Sequence, residues 1–331
     1  MVICSPQPRR LVLALAIGVV LFSGAGLRAE TRLLAAADGS GKYRTVQEGI
    51  DAAPTGSRTN PVVILIKPGI YRELIYIQRE KRFLRLVGES AEKTILTYDL
   101  YAAQPGADGK PIGTFRTPST YIDADDFTAE NLTFENSAGP KGQALAIRVE
   151  GDRVVFRNCR FLGWQDTILD NRGRHYYLDC YIAGHVDFIF GGATSFFEGC
   201  HIQCLKNGYI TAASTPEDQP MGFVFSNCTI TGETPAVRTY LGRPWRGYAS
   251  VVFLNTKMSE IIRPEGWDNW KDPAREKTAR FAEYHSSGPG AGTDRRVKWA
   301  KQLVDEDVKT YSLENVLRGH DNWDPRERAK L

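Results

Sequence analysis

Two aspartates, Asp166 and Asp187, occupy the same place in two copies of one short unit. The run Asn158-Cys159-Arg160-Phe161 continues to Gln165-Asp166, and Asp179-Cys180-Tyr181-Ile182 continues to Val186-Asp187. Each aspartate is eight positions after the first residue of its unit. In stacked coils of a repeat fold, that offset sets the two carboxylates one above the other. Two close carboxylates do not both ionise easily, so their pKa values separate. One can then stay a carboxylate and attack, while the other keeps a proton and acts as an acid. The competing role for each is to cap a turn, the commoner fate of a loop aspartate.

Other side chains add to this pair. Gln165 adjoins Asp166, and Gln143 falls one coil earlier. Their amides are able to donate to a developing oxyanion, although a lone glutamine is more often a surface group. The run Tyr240-Leu241-Gly242-Arg243-Pro244-Trp245 supplies an arginine suited to a carboxylate and a tryptophan suited to a sugar ring. Other chemistries lack their signatures. There is no nucleophile elbow, no phosphate-binding loop and no dinucleotide fingerprint, and the five histidines are not in metal-ligand spacing. His185, two residues before Asp187, reads as a surface or packing residue near the site.

The elements that would position these groups form an internal repeat. Its units begin at Asn131, Asn158, Asp179, Gly199, Asn227 and Asn255, at intervals of 27, 21, 20, 28 and 28 residues. Each unit alternates polar and apolar residues, as a strand with one buried face does. Short strands at such intervals predict a solenoid, and specifically a parallel β-helix. An antiparallel sandwich would place its strands about 8–12 residues apart. The second position of each unit should stack inward: Leu132, Cys159, Cys180, Cys200, Cys228 and Thr256.

Toward the N-terminus, Thr45 with Glu48 forms a capping box, and Val46, Ile50 and Ala53 share a face. The expectation is a short helix stopped at Pro54 that lids one end of the solenoid. Strands are expected over Val62–Ile66, Leu74–Ile77 and Phe83–Val87, and a surface loop over residues 101–113. Beyond Pro264 come a tryptophan-rich stretch, Gly266–Asp272, and two expected helices, Arg296–Val304 and Ser312–Leu317. No linker marks a second domain, so residues 30–331 are read as one all-β domain.

Residues 1–29 read as a secretory signal peptide. Arg9 and Arg10 precede the apolar run Leu11–Phe22, and Leu27-Arg28-Ala29 offers a cleavage site. The expectation is therefore a secreted protein, extracellular or periplasmic, with no membrane association after cleavage. Those residues hold three arginines and no acid, so the formal net charge of +3 falls to zero without them. A neutral chain has no global basic field for nucleic acid. Five cysteines remain: Cys159, Cys180, Cys200, Cys204 and Cys228. Export favours at least one disulfide. Coils about 4.8 Å apart put either Cys180–Cys200 or Cys159–Cys180 within bonding reach. The alternative is a set of small buried hydrophobes.

Taken together, these motifs resemble the pectin methylesterases, carbohydrate esterases with a right-handed parallel β-helix. The resemblance covers nearly all of the chain after residue 29. It rests on Asp38-Gly39-Ser40-Gly41, Thr45-Val46-Gln47, Gly69-Ile70-Tyr71-Arg72-Glu73, Gln143–Arg148, Gly163-Trp164-Gln165-Asp166-Thr167, Gly184–Gly191, Leu241–Trp245 and Phe281-Ala282-Glu283-Tyr284. It implies that Asp187 is the nucleophile toward a galacturonate methyl ester and that Asp166 is the acid and then the base. It implies that Gln165 and Gln143 are oxyanion donors and that Arg243 holds Asp187. Trp245 and Thr114 become substrate contacts, and the family's usual disulfide maps onto Cys180–Cys200. No cofactor or metal is implied. The partner is methyl-esterified homogalacturonan, met by a monomer. His185 and Trp164 depart from the family pattern, which has a small polar residue and often tyrosine there. Two readings compete: a related β-helix esterase for another ester, such as an acyl-CoA thioester, and a non-catalytic polysaccharide-binding β-helix. A binding module has no need for two close acids, which argues against the second.

Overall fold

The structure is a computed structural model that describes residues 1–2 and 31–330. The expected signal peptide, beyond its first two residues, therefore lies outside the described residues. The rest of the chain coils as a parallel β-helix. One sheet has eleven strands, from Thr31–Ala35 at one end to Lys301–Gln302 at the other. A second and a third face are joined into a thirteen-stranded sheet. The junction is made by two long strands, Tyr181–Gly191 and His201–Ala213, which bend from one face to the next. Neighbouring strands pair in parallel, each with the strand one coil away.

The repeat seen in the sequence has a backbone cause. Its first residues, Asn131, Asn158, Asp179, Asn227 and Asn255, have φ of 55°, 48°, 52°, 54° and 48°, and Gly199 has 63°. Each makes the corner between the first and second faces in a left-handed conformation. Only Gly, Asn and Asp adopt it at little cost, so the position admits no other types cheaply. The following residue turns inward as expected: Leu132, Cys159, Cys180, Cys200, Cys228 and Thr256 are at most 1% exposed. Two residues before each corner, Phe156, Tyr177, Phe197, Phe225 and Phe253 stack in register, with successive ring centres 4.5–4.8 Å apart. Coil spacing matches ring-stacking distance, so one aromatic per coil yields a continuous core.

The ends are closed differently. The helix Val46–Ala52 begins at Thr45 with both capping-box bonds present, and it buries Val46 and Ile50. Glu73 accepts from the backbone N–H groups of Val46 and Gln47 at 2.8 and 2.9 Å, tying the helix start to the solenoid. At the other end, residues 296–304 do not form the expected helix. Arg296 is drawn inward, where its Nε and Nη2 donate to Glu283, itself 2% exposed, and Lys301–Gln302 joins the first sheet as its last strand. A buried ion pair and a sheet edge outweigh the weak helical pattern there. The helix expected after Ser312 is present as Leu313–Leu317, with Ser312 as its N-cap. Leu303, Val316, Leu317 and Trp323 cover the outer side of the first sheet.

The expected Cys180–Cys200 disulfide is absent. All five described cysteines are free and buried. Cys180 and Cys200 point their thiols at the carbonyl oxygens of Leu178 and Glu198, at 3.4 and 3.5 Å. Burial pushes the Cys159 and Cys204 thiols up to about 12 and the Cys200 thiol well above its usual range. The column packs as small apolar side chains with satisfied S–H groups, the alternative that the sequence also allowed.

Candidate active site

Both aspartates sit at the corner where the second face bends into the third. Asp166 and Asp187 have φ of 65° and 51°. The pairing register slips on either side of Val186, so the strand is irregular where Asp187 leaves it. A left-handed aspartate at an irregular corner projects its carboxylate away from the ladder, and such outliers gather at functional sites. The Asp166 N–H donates to Val186 O at 3.1 Å, and Ile168 pairs with Ile189. The equal offset in sequence thus becomes adjacency in space.

The two carboxyls have different surroundings. Asp187 is 6% exposed and is gripped by Arg243, with Nε to Oδ1 at 2.9 Å and Nη2 to Oδ2 at 2.7 Å. This bidentate pair fixes the carboxylate plane. Burial raises the Asp187 pKa above its ordinary value, opposed by the arginine. Asp166 is 8% exposed, and among the described residues no arginine grips it in this way. Burial, then the negative charge of Asp187, raises its pKa to about 8. The arginine favours the ionised form of Asp187, and burial beside that charge favours the protonated form of Asp166, the division of roles that a nucleophile and a proton donor require.

Arg243 is itself held. Its N–H donates to Thr211 O at 3.0 Å, and the rings of Tyr209 and Trp270 are each centred 3.8 Å from the guanidinium carbon. The cation is sandwiched between two aromatic faces. Burial would lower its pKa, and the bonds to Asp187 outweigh that. Tyr209 and Trp270 were not singled out by sequence. Trp270 stood inside the tryptophan-rich stretch, whereas Tyr209 carried no signal.

Gln143 and Gln165 pair across adjacent coils in a short parallel bridge, both half-buried. Gln165 directly precedes Asp166 in its own coil and Gln143 lies one coil earlier, so two amide donors could serve one oxygen there. The Gln143 carbonyl accepts from Ala102, and Ala102 O accepts from Gly113, so the loop carrying Thr114 is hooked to the glutamine coil. Thr114 opens the 3-10 turn Thr114–Arg116. Trp245 lies edge-on to Phe190 with centroids 5.8 Å apart, in an apolar group with Leu145, Leu169 and Ala212. His185 packs edge-on to Trp164 at 5.6 Å, and Lys206 Nζ is 5.1 Å from the Trp164 ring centre. Burial, reinforced by Lys206, holds the His185 pKa below its usual value, so this ring is neutral beside the acids. The structure therefore brings the two acids, the two amides and Arg243 to one corner, with Trp245, Thr114 and His185 around it.

The sequence model of the family described as Pectinesterase matches residues 32–320. The chain belongs to the pectinesterase family. It is 45% identical over 277 residues to Pectinesterase 31 of Arabidopsis thaliana, covering 82% of this chain and 87% of that protein. The solved structure of pectin methylesterase from carrot superposes with a TM-score of 0.81 at 32% identity, covering 87% of this chain and 93% of that one. A pectin methylesterase solved in complex with a hexasaccharide superposes with a TM-score of 0.76 at 32% identity, covering 88% of this pectinesterase and 98% of that chain. Pectinesterases are carboxylic ester hydrolases. Among the described residues no cluster of three or more His, Cys, Asp or Glu side chains is placed to hold a metal ion.

Proposed function

We propose that this pectinesterase hydrolyses methyl esters of homogalacturonan to free carboxylates and methanol, by way of an acyl-enzyme on Asp187. The observation that carries the reading is the asymmetry of the pair: a carboxylate clamped by Arg243 beside an acid raised to about 8. One Asp187 oxygen attacks the ester carbonyl carbon. The electron pair moves onto the carbonyl oxygen, where Gln143 and Gln165 donate hydrogen bonds. The carbon–methoxy bond then breaks, and Asp166 gives its proton to departing methanol. Asp166, now a carboxylate, takes a proton from water as that water attacks the mixed anhydride, and Asp187 leaves as a carboxylate. Trp245 and Thr114 border the bound chain.

The hexasaccharide held by a related pectin methylesterase supports a polymeric sugar ligand. The proposed catalytic groups all lie on one chain, so the site needs no residue from a second copy, in keeping with action as a monomer. The charge and apolar pattern of residues 1–29 supports export, followed by a mature domain from residue 30. The deciding experiment measures methanol release from methyl-esterified homogalacturonan, with hydroxylamine added to trap the anhydride. Release together with a hydroxamate on Asp187 is expected. Turnover with no covalent species under trapping would overturn the mechanism, and absence of turnover would overturn the activity.

A further inference from the structure

The turn Arg243-Pro244-Trp245 is held from two sides. On its N–H side, Arg243 N donates to Thr211 O at 3.0 Å and Trp245 N to Ala213 O at 2.9 Å, both on the strand His201–Ala213. On its carbonyl side, Gly242 O accepts from Asp268 N at 3.1 Å. Arg275 Nη1 donates to Pro244 O and, at 3.3 Å, to Trp245 O. Pro244 has no N–H to pair, so its carbonyl is the one backbone group by which that residue can be held.

Arg275 is placed by a short turn of its own. Asp272 caps the 3-10 turn Pro273–Lys277, with Oδ1 accepting from Ala274 N at 3.1 Å and Oδ2 from Arg275 Nε at 3.0 Å. The Arg275 side chain is 23% exposed, and its guanidinium carbon lies 5.8 Å from the centre of the Trp270 ring. That ring is one of the two that cover the Arg243 guanidinium, at 3.8 Å. Trp270 and the next residue, Lys271, have φ of 61° and 57°. Two successive left-handed residues other than glycine are costly and persist only where their neighbours hold them. Here Asp268 Oδ1 accepts from Trp270 N at 2.7 Å, Asn269 Nδ2 donates to Glu276 Oε1 at 2.8 Å, and Arg275 lies against the ring.

We propose that Arg275 is a positioning residue for the reaction, fixing the Arg243 clamp on Asp187 through both the Pro244 carbonyl and the Trp270 ring. Its bonds go to Asp272 and to the backbone of the turn, so it acts on the acids through Arg243. The inference rests on Asp187 as the attacking carboxylate. Arg243 lowers the Asp187 pKa against the effect of burial, so a loosened clamp makes Asp187 ionise at higher pH. The other titratable groups facing Asp187 are Asp166, Asp268 and His185. Asp268 raises the Asp187 pKa and lies on the loop that Arg275 braces. A loop that merely fell away would therefore shift Asp187 down, the opposite direction.

The test measures methanol release from methyl-esterified homogalacturonan across pH for wild type, Arg275→Ala and Arg275→Lys. In Arg275→Ala the acid limb of kcat/KM should move up by about half a pH unit or more, and kcat should fall about 3- to 30-fold. Arg275→Lys keeps the charge but cannot span Asp272 and the carbonyls with one rigid plane, so its limb should move the same way by less. A shift in the lysine variant separates loss of position from loss of positive charge. An acid limb that stays in place or moves down in Arg275→Ala overturns the inference, even where kcat falls. Should circular dichroism show that the alanine variant does not fold, the lysine variant decides by the same criterion. Absence of methanol release by the wild type would overturn the catalytic reading and this inference with it.

Discussion

Asp166 and Asp170 are four residues apart and have opposite fates. Asp170 faces the interior and is fully buried. Its Oδ1 accepts from Tyr177 OH at 2.7 Å and lies 3.0 Å from His175 Nδ1, and its Oδ2 accepts from Ser195 OH at 2.7 Å. His175 Nε2 donates to Gly151 O at 3.0 Å. Burial alone would lower the His175 pKa, yet the charge and hydrogen bond of Asp170 hold it above its usual value, as two donating ring nitrogens require. Ser, His and Asp stand together here, but Ser195 donates to the aspartate, and its oxygen is 3.4 Å from His175 Nδ1. With no base on the hydroxyl and no path for a substrate, the cluster is structural. Among the described residues none gives Asp166 a side-chain hydrogen bond, and a like charge stands beside its buried carboxyl. Composition does not separate the two groups. Access and unmet hydrogen-bonding capacity do.

The contrast can be broken most directly at Asp187, the proposed nucleophile. Asp187→Asn should lower methanol release by about 10⁴-fold or more while circular dichroism stays native. Activity within tenfold of wild type would remove Asp187 from the chemistry. The counterpart, Asp170→Ala, strips Tyr177, His175 and Ser195 of their shared buried acceptor and should cost about 3–5 kcal/mol in urea unfolding. Methanol release well below its melting temperature should stay close to wild type. A large loss of turnover without loss of stability would make the inner cluster functional.

Arg243→Lys keeps a cation but loses the fork and much of the stacking between Tyr209 and Trp270. The kcat should fall about 10- to 100-fold, read from methanol release at saturating pectin. The pH dependence is a finer test. Asp187 must be ionised and Asp166 protonated, so kcat/KM should be bell-shaped, with its alkaline limb near pH 8. Because folding raises the Asp166 pKa to about 8, the native state holds a proton that the unfolded chain releases near its ordinary value, about 4. Stability should therefore decline as pH rises from about 4 to about 8. In Asp166→Asn that part of the slope should disappear; an unchanged slope would mean that Asp166 ionises normally.

The family motifs and the spacing of the repeat made the β-helix and the family legible before any coordinates, and they pointed to the two acids, the two glutamines and Arg243 as candidates. Thr45 with Glu48 marked the helix start for a local reason, since a capping box is complete within four residues. The errors were non-local. Arg296 left its expected helix because Glu283, on a strand of the core, offers a buried partner. Cys180 and Cys200 stack as expected, but spacing alone does not say whether stacked sulfurs are bonded.

What the sequence determined by itself was periodic. One Asn, Asp or Gly per coil permits the left-handed corner, the next residue turns inward, and the two acids inherit one offset. Tertiary structure decided what each group meets. Arg243 reaches Asp187 from 56 residues away, Tyr209 and Trp270 converge on it from different coils, and Asp170 is satisfied while Asp166 is not. Backbone preference is written residue by residue, whereas pairing and desolvation belong to neighbours that only the folded coil brings together.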